Sequence, residues 1–272
     1  MTDFQQGLVG IYGYAKTAKT TLALTAPKPL FHFDFDEGFA RAESRFSQFK
    51  IRKLAVNTVP DLADLADADI ITLPIRQPLL WPGQKVAGLL ALREIVDQTL
   101  RLITDNASWI RTVALDTGSL FWTVTHGGRL EELRNLSKHD KQTLHPTEYA
   151  EPNSRIRAYL TNIRAAGKTA ILTHHTRDVR MVKVIKGQEE EVKVGETWEG
   201  WSHLDGLVDV LVRTHKEERF VPGKGKTQNP YMEIVTCGWS LDAEGQRVDN
   251  HSWDGLLTCI NEKRGQNGTG NL

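Results

Sequence analysis

Apolar residues along this chain form short runs that alternate with amphipathic segments. The runs are rich in β-branched and aromatic side chains, which is typical of buried strands. Between them, apolar residues recur at helical spacing, most clearly over residues 86–103. The predicted strands are Leu8–Tyr12, Leu30–Phe35, Ile70–Ile75, Trp109–Leu115 and Thr169–Thr173. One predicted helix begins at Thr20, and two others cover Val86–Ile103 and Ser154–Ala166.

Strands that alternate with helices indicate βαβ units and therefore a parallel sheet. Beyond about residue 178 the pattern changes to short strands separated by turn residues, which favours antiparallel additions to the same sheet. We therefore predict a single α/β domain over residues 1–262, with a mostly parallel sheet flanked by helices and antiparallel C-terminal strands. The Gly- and Asn-rich end predicts a flexible tail over residues 263–272.

The segment Gly13–Thr20 (GYAKTAKT) lies between the first predicted strand and the helix that follows it. It matches the phosphate-loop pattern G-x-x-x-x-G-K-[ST] except at Ala18, where glycine is expected. Backbone N–H groups of such a loop hold phosphate, the lysine reaches the β and γ phosphates, and the hydroxyl binds Mg²⁺. The alternative is an ordinary polar loop before a helix. The predicted nucleotide-binding residues are Gly13, Tyr14, Ala15, Lys16, Thr17, Ala18, Lys19, Thr20 and Thr21.

A second element of a phosphate site is Asp116, which directly follows the apolar run Val113–Leu115. P-loop enzymes need a strand-end carboxylate to organise Mg²⁺, so Thr20 and Asp116 are the predicted metal residues. Alone, Asp116 could equally begin a turn with Thr117 and Gly118. The two motifs in this order favour ATP and Mg²⁺ as cofactors, although the extra methyl of Ala18 is expected to weaken nucleotide affinity.

Four segments together resemble the RecA-like P-loop ATPases: GYAKTAKTTLAL, PLFHFDFDEG, TVALDT and AILTHH. The chain is similar over roughly residues 7–240 to phage nucleotide-binding proteins, some of which are ATP-dependent single-strand annealing proteins. The resemblance implies a RecA-like core and an ATPase that acts on single-stranded DNA in phage or mobile-element recombination. It also implies a homo-oligomer, either a ring or a filament.

The resemblance further implies that an acidic residue after the second strand orients and deprotonates the attacking water. Asp36 fits the spacing best and Glu37 is the next candidate, while the alternative is a solvated acidic cluster that includes Asp34. A polar residue after the strand that ends at Thr173 would sense the γ-phosphate, and His174 is the predicted sensor. Paired histidines at such a place are otherwise structural or surface residues.

Two features of the C-terminal third remain open between a functional and an ordinary interpretation. The basic segment 176–186 precedes acidic residues 189–191 and then Trp198 and Trp201, which suits either a loop that contacts single-stranded DNA or a solvated hairpin. Lys224 and Lys226 precede a predicted strand. The resemblance implies that they reach the neighbouring subunit's γ-phosphate, while the alternative is a Gly/Lys-rich turn.

Composition narrows the class of protein without deciding among these functions. Equal numbers of basic and acidic residues, 34 each, argue against an overall electrostatic affinity for nucleic acid but leave room for a local basic strip. Two cysteines, the lack of a signal-peptide pattern and the lack of a membrane-length apolar run predict a cytoplasmic protein that does not contact membrane. The rival functions are a regulatory or scaffold protein with little turnover and a small-molecule P-loop kinase.

Overall fold

The computed structural model describes residues 6–78, 87–137, 141–185, 188–221 and 225–267. The strands are β1 (Leu8–Gly13), β2 (Leu30–Asp34), β3 (Ile51–Lys53), β4 (Ile70–Pro74), β5 (Thr112–Asp116), β6 (Thr169–Ile185), β7 (Gln188–Trp198), β8 (Val210–Val221), β9 (Gly225–Cys237) and β10 (Arg247–Val248). The α-helices are α1 (Lys19–Leu24), α2 (Gly38–Ala42), α3 (Leu89–Asn106), α4 (Gly118–Leu136), α5 (Ala150–Ala165) and α6 (Trp253–Asn267). Short 3₁₀ turns occupy Glu43–Phe46, Ala63–Leu65, Pro146–Tyr149 and Leu241–Ala243.

One sheet organises the chain, with strand order β10-β9-β8-β1-β6-β5-β2-β4-β3. The strands from β8 to β3 in this order pair in parallel, whereas β9 and β10 are antiparallel additions. Strand β7 pairs antiparallel with the outer part of β6. This arrangement confirms the predicted fold class: a mostly parallel α/β sheet with antiparallel C-terminal strands.

The central strands are buried because helices cover both faces of the sheet. Within β5, Val113 and Leu115 pack on the side of α3, α4 and α5, while Ala114 packs on the side of α1, α2 and α6. Both sets of side chains leave water, which explains why these strands are apolar runs without alternation. The two apolar layers hold the carboxyl ends of the parallel strands at a common edge.

Several elements differ from the sequence-based prediction. Strand β6 continues to Ile185 instead of ending at Thr173, and β3, α4 and α6 are additional elements. Helix α4 was hard to foresee because Gly127 and Gly128 interrupt its apolar pattern. A Cβ on Gly128 would lie 3.1 Å from the Arg93 side chain, so the glycine permits α4 to pack closely on α3.

Two further features concern the ends of elements. Pro74 ends β4, which lies inside the sheet between β2 and β3. The predicted boundary between domain and tail, after residue 262, falls inside α6, which continues to Asn267. In the part of the chain that the structure describes, none of the helices is both long enough and apolar enough to span a bilayer.

Candidate functional site

The carboxyl ends of β1, β2, β5 and β6 surround a cavity of about 570 Å³. Open parallel sheets bind ligands at this edge. The ligand lies in the crevice between two neighbouring strands whose following connections run to opposite faces of the sheet. The lining side chains are mostly polar and include five cations. The cavity is lined by Ala15, Lys16, Ala18, Lys19, Thr20, Thr21, Asp36, Gly38, Arg41, Ala42, Arg45, Asp116, Thr117, His175, Lys216, Gln228 and Pro230.

Lys19 lies at the bottom of this cavity and is folded back over its own loop. Its Nζ donates to the backbone carbonyls of Gly13 and Tyr14, both at 2.8 Å. Burial lowers the pKa of Lys19 to about 8, although the nearby carboxylates of Asp116 and Asp36 act in the opposite direction. A desolvated ammonium group that borders a cavity is well placed to bind an anion such as phosphate.

The loop before α1 contains two residues in the left-handed region, Lys16 (φ 65°) and Ala18 (φ 68°). For residues with a Cβ this conformation costs roughly 1–2 kcal/mol, which is the physical reason that glycine is expected at position 18. The loop is held by Thr17, whose hydroxyl donates to the Tyr14 carbonyl at 2.8 Å and lies 2.7 Å from the Thr214 hydroxyl on β8. Contacts around the loop therefore offset the strain.

Asp116 ends β5 and is almost completely buried. The Thr173 hydroxyl donates to its Oδ1, and the His32 ring lies 3.3 Å from its Oδ2. Burial alone would raise the pKa of Asp116, but the hydrogen bond and positive charge of His32 outweigh it and hold the pKa below its ordinary value. Asp116 is thus a fixed, ionised carboxylate, and neither His32 nor Thr173 was identified from the sequence.

Three oxygen atoms gather around one point beside Gly38, which has no side chain. A Cβ placed there would lie 2.8 Å from the Thr20 hydroxyl, 2.8 Å from an Asp36 oxygen and 3.3 Å from an Asp116 oxygen. Oxygen ligands suit Mg²⁺, which proteins usually hold through one or two carboxylates together with substrate phosphates. Within the described segments, no group of three or more His, Cys, Asp or Glu residues could hold a metal ion by itself. These residues fit a Mg²⁺ ion that arrives with a nucleotide.

The three acidic residues at the end of β2, Asp34, Asp36 and Glu37, lie in three different environments. Asp34 accepts from the backbone N–H groups of Gly38 at 2.8 Å and Phe39 at 3.2 Å, so it fixes the start of α2. Glu37, in the left-handed region, has a 59% exposed side chain that pairs with Arg76 at 2.7 Å. Of the two candidates for the base, only Asp36 lines the cavity.

Asp36 combines access to the cavity with partial burial. Its carboxylate lies 3.2 Å from the Arg41 guanidinium and accepts from the Gly38 N–H at 3.0 Å. Burial raises its pKa, the charge of Asp116 raises it further, and Arg41 partly opposes both. A carboxylate whose pKa is raised in this way has a greater affinity for a proton.

The structure does not bring His174 to the cavity, in contrast to the prediction. Its ring is completely buried, and its Nδ1 lies 2.9 Å from the Glu199 carbonyl, on the opposite side of β6 from Asp116. The cause is that β6 continues past Thr173, so its side chains keep alternating between faces. Thr173 and His175 therefore face the cavity side, and His175 is the histidine that lines it.

The basic segment after the buried part of β6 forms an antiparallel hairpin with β7. Arg177 and Arg180 are exposed on it, together with the apolar side chains of Val179 and Met181. The two tryptophans are not free to stack on bases: Trp201 is buried and donates to Asn153 at 3.0 Å, and the half-buried Trp198 contacts the Tyr12 ring edge-on. The hairpin thus offers cations and aliphatic groups to a partner.

Tyr14 connects the phosphate loop to this hairpin. Its hydroxyl lies 3.0 Å from the Asp178 carboxylate and 2.6 Å from that of Glu196, and it accepts from Lys193 at 2.9 Å. Glu196 also pairs with Arg213 of β8. A residue predicted to bind nucleotide is therefore also the link between the loop and the base of the hairpin.

The second hairpin, β8–β9, places Lys216 and Gln228 in the cavity wall, 3.3 Å apart. The sequence did not single out these two residues, nor Arg41 and Arg45, because nothing near them matches a local motif. Lys226 is 79% exposed, pairs with Glu218 at 3.3 Å and does not line its own chain's cavity. Lys224, the other residue predicted to reach the neighbouring subunit's γ-phosphate, lies outside the described residues.

Comparison with known proteins adds one finding to this geometry. A family model described as an AAA domain matches residues 8–236, a span that contains the phosphate loop, the acidic cluster, Asp116 and both hairpins. No curated protein matches the chain.

Proposed function

This chain belongs to the AAA domain family, a P-loop NTPase family, and from that premise we propose that it hydrolyses ATP with Mg²⁺ in response to single-stranded DNA. One observation carries the proposal. Lys19, Thr20, Asp36 and Asp116 come from three separate segments, yet all four line one cavity at the carboxyl edge of the sheet. Cation, hydroxyl and two carboxylates are the groups that phosphoryl transfer requires.

Each of these residues has a part in the proposed reaction. Asp36 accepts a proton from water as the water oxygen attacks the γ-phosphorus, and the bond from that phosphorus to the bridging oxygen breaks to release ADP. Lys19 neutralises charge on the β and γ oxygens. Thr20, and Asp116 through water, would hold Mg²⁺, which supplies further neutralisation of the phosphates when bound.

The β6–β7 hairpin is the proposed binding surface for single-stranded DNA. Exposed cations follow phosphates, and the exposed aliphatic groups of Val179 and Met181 can lie against bases. Support for coupling to the nucleotide site comes from β6, which is common to both, and from the Tyr14 contacts with Asp178 and Glu196. The proposed setting is DNA recombination of a phage or mobile element in the cytoplasm of its bacterial host.

We also propose a homo-oligomer, a ring or filament, in which Lys224 and Lys226 act on the neighbouring subunit. Because Lys226 is exposed and outside its own cavity, it is available to another chain's phosphates. Mixing the Lys19→Ala chain with a Lys224→Ala/Lys226→Ala chain should restore part of the activity at interfaces that pair an intact loop with intact lysines. Mixed oligomers that show no recovery would leave these lysines as turn residues.

The experiment that tests the main proposal is steady-state ATP hydrolysis with Mg²⁺, measured with and without single-stranded DNA. The expected result is DNA-stimulated release of phosphate. Double-stranded DNA of the same length serves as the matched polyanion control. Binding of ATP without turnover in either condition would support a regulatory or scaffold protein, and turnover that requires a small-molecule acceptor would support a kinase.

A further inference from the structure

The hairpin β8–β9 forms one wall of the nucleotide cavity. Thr214 of β8 contacts the phosphate loop, since its hydroxyl lies 2.7 Å from that of Thr17. Lys216 is two residues further along β8 and pairs with Pro230, and Gln228 is two residues beyond Pro230 on β9. Residues two apart on a strand lie on the same face, and all three line the cavity. At about 3.3 Å per residue, Gln228 lies roughly 13 Å along the hairpin from the loop contact.

The strand order separates the two ends of this cavity. Asp36 and Asp116 follow β2 and β5, which lie on one side of β1, whereas β8 and β9 lie on the other side. In the proposed function, on which this inference rests, the two carboxylates meet the γ-phosphate and Mg²⁺. The end formed by β8 and β9 is then left for the nucleoside. Gln228 is the one carboxamide among the described residues that line the cavity, and an uncharged donor and acceptor suits a base better than a phosphate.

The carboxamide of Gln228 is accessible and only partly used. The side chain is exposed, and its Oε1 accepts from the Lys216 ammonium at 3.3 Å. Within the described segments, this is the one hydrogen bond that the side chain makes. An ammonium group only donates, so the amide oxygen and not the amide nitrogen must face Lys216. Lys216 therefore orients the carboxamide and leaves the Nε2 N–H groups and a lone pair of Oε1 for a ligand.

We propose that Gln228 selects adenine as the base of the nucleotide, with Lys216 as its positioning residue. Oε1 accepts from the exocyclic amino group of the base, and Nε2 donates to a neighbouring ring nitrogen, the pairing by which glutamine recognises adenine bidentately. Guanine and hypoxanthine carry a carbonyl oxygen in place of that amino group, so two acceptors would meet. Turning the amide to suit them would direct its N–H groups at the Lys216 ammonium. The site thus favours ATP over 6-oxopurine nucleotides.

The test is equilibrium binding of ATP, ITP and inorganic tripolyphosphate, each with Mg²⁺. The base of ITP has the 6-carbonyl without the extra amino group of guanine, so it isolates the contact with Gln228. Wild-type protein should bind ATP about tenfold more tightly than ITP, as a bidentate pair typically discriminates. Gln228→Ala should bring this ratio close to one and leave the affinity for tripolyphosphate unchanged. Gln48→Ala, an exposed glutamine outside the cavity, is the matched control.

A second variant tests the positioning role of Lys216. In Lys216→Met the amide is free to turn, so the ratio of ATP to ITP affinity should fall several-fold, mainly because ITP binds more tightly. A lysine that only attracts phosphate would instead lower the affinities for ATP, ITP and tripolyphosphate equally. Gln228 and Lys216 are both exposed, so the Tm of either variant should match that of the wild type.

The outcomes separate this inference from the function on which it rests. Wild-type protein that binds neither ATP nor tripolyphosphate would refute the proposed function. Equal wild-type affinities for ATP and ITP would overturn only the selection of adenine. So would a Gln228→Ala chain that keeps the wild-type ratio, or one that loses affinity equally for all three ligands.

Discussion

The two halves of β6 give the clearest comparison within this molecule. Residues 169–175 lie in the middle of the sheet, and six of these seven side chains are completely buried or nearly so. Residues 176–185 pair only with β7, and their described side chains are largely exposed. One continuous strand thus runs from a part of the protein that is buried from solvent to a part that is largely exposed to it.

The difference lies in what holds each half in place. In the inner half, Thr173 donates to the buried Asp116, and losing a partner there would leave a buried carboxylate under-satisfied at a cost of roughly 1–3 kcal/mol. In the outer half, contacts such as Arg180 with Glu191 at 3.8 Å are exposed ion pairs, which typically contribute about 0–1 kcal/mol. The groups proposed to perform chemistry are therefore held rigidly, while the surface proposed to bind DNA can adjust at little cost.

The largest expected effect comes from removing the ammonium group of Lys19, which lies in the buried part of the candidate site. Lys19→Ala should abolish ATP turnover and weaken ATP binding, because the phosphate oxygens lose their buried ammonium partner; a loss of at least roughly 10²–10³-fold is expected. Lys28→Ala is the matched control, since the Lys28 ammonium also donates to two backbone carbonyls but lies outside the cavity. Normal hydrolysis by a folded Lys19→Ala chain would contradict the assignment of the loop.

Removing the proposed base tests the same region without removing binding. Asp36→Asn should lower kcat by roughly 10²-fold or more while ATP still binds, as is typical when a general base is lost. Glu37→Gln is the control and should change kcat little, because Glu37 pairs with Arg76 outside the cavity. If Glu37→Gln is instead the slow variant, the two carboxylates exchange roles.

The raised pKa of Asp36 adds a pH signature to this experiment. A base acts only when deprotonated, so kcat of the wild-type chain should fall as the pH falls through a pKa above the ordinary aspartate value of about 3.9. The Asp36→Asn chain has no such group and should lose this acid limb. A limb that persists in the variant would place the base elsewhere.

A third prediction concerns the pH dependence of binding. The pKa of Lys19 is about 8 in the nucleotide-free protein, and a protonated ammonium binds phosphate better than a neutral amine. Affinity for ATP should therefore be fully present below pH 8 and fall above it, with a slope that approaches tenfold per pH unit. Fluorescent-nucleotide titrations at pH 7, 8 and 9 measure this slope. The Lys19→Arg chain, whose guanidinium stays charged, should show a flat profile.

Substitutions in the exposed half of β6 should have smaller effects, and these effects should appear only in measurements that involve DNA. Arg180→Gln/Lys183→Gln should weaken binding to single-stranded DNA on the order of tenfold and reduce the salt dependence of the dissociation constant, since each lost phosphate contact lowers the slope. Arg52→Gln/Lys53→Gln, an exposed basic pair on edge strand β3, is the matched control. Equal losses from both pairs would indicate general electrostatic attraction instead of a defined surface.

The smallest expected effect comes from relieving strain in the phosphate loop. Ala18→Gly replaces a left-handed alanine with the residue that adopts this conformation at no steric cost, so ATP affinity should rise a few-fold. The competing effect is the greater chain entropy of glycine when unfolded, which offsets part of any gain in Tm. ATP titration together with thermal unfolding separates the two. A weaker affinity in the glycine chain would show that Ala18 is adapted to its ligand.

Much of the fold and half of the candidate site could be predicted from sequence because they are encoded locally. Helix and strand periodicity located β1, β2, β4, β5 and α3, and the loop pattern located the predicted phosphate site. Helix α4 was not predicted because its glycines allow it to pack closely against α3. This contact between two helices cannot be recognised from the sequence of α4 alone. The length of β6 escaped because pairing with β7, not burial, extends the strand beyond Thr173.

The sequence by itself determined which groups could take part in phosphate chemistry. All positions of the phosphate-loop pattern lie within the eight residues 13–20, and Asp116 directly follows an apolar strand. Tertiary structure alone decided which of several neighbours faces the cavity. The left-handed turn at Glu37 leaves Asp36 inside, and the alternation along an extended β6 turns His174 away and His175 inward. Arg45 and Lys216 lie far apart in the chain and have no local signature. Only the packing of strands and helices brings such side chains together, because their proximity depends on every element between them.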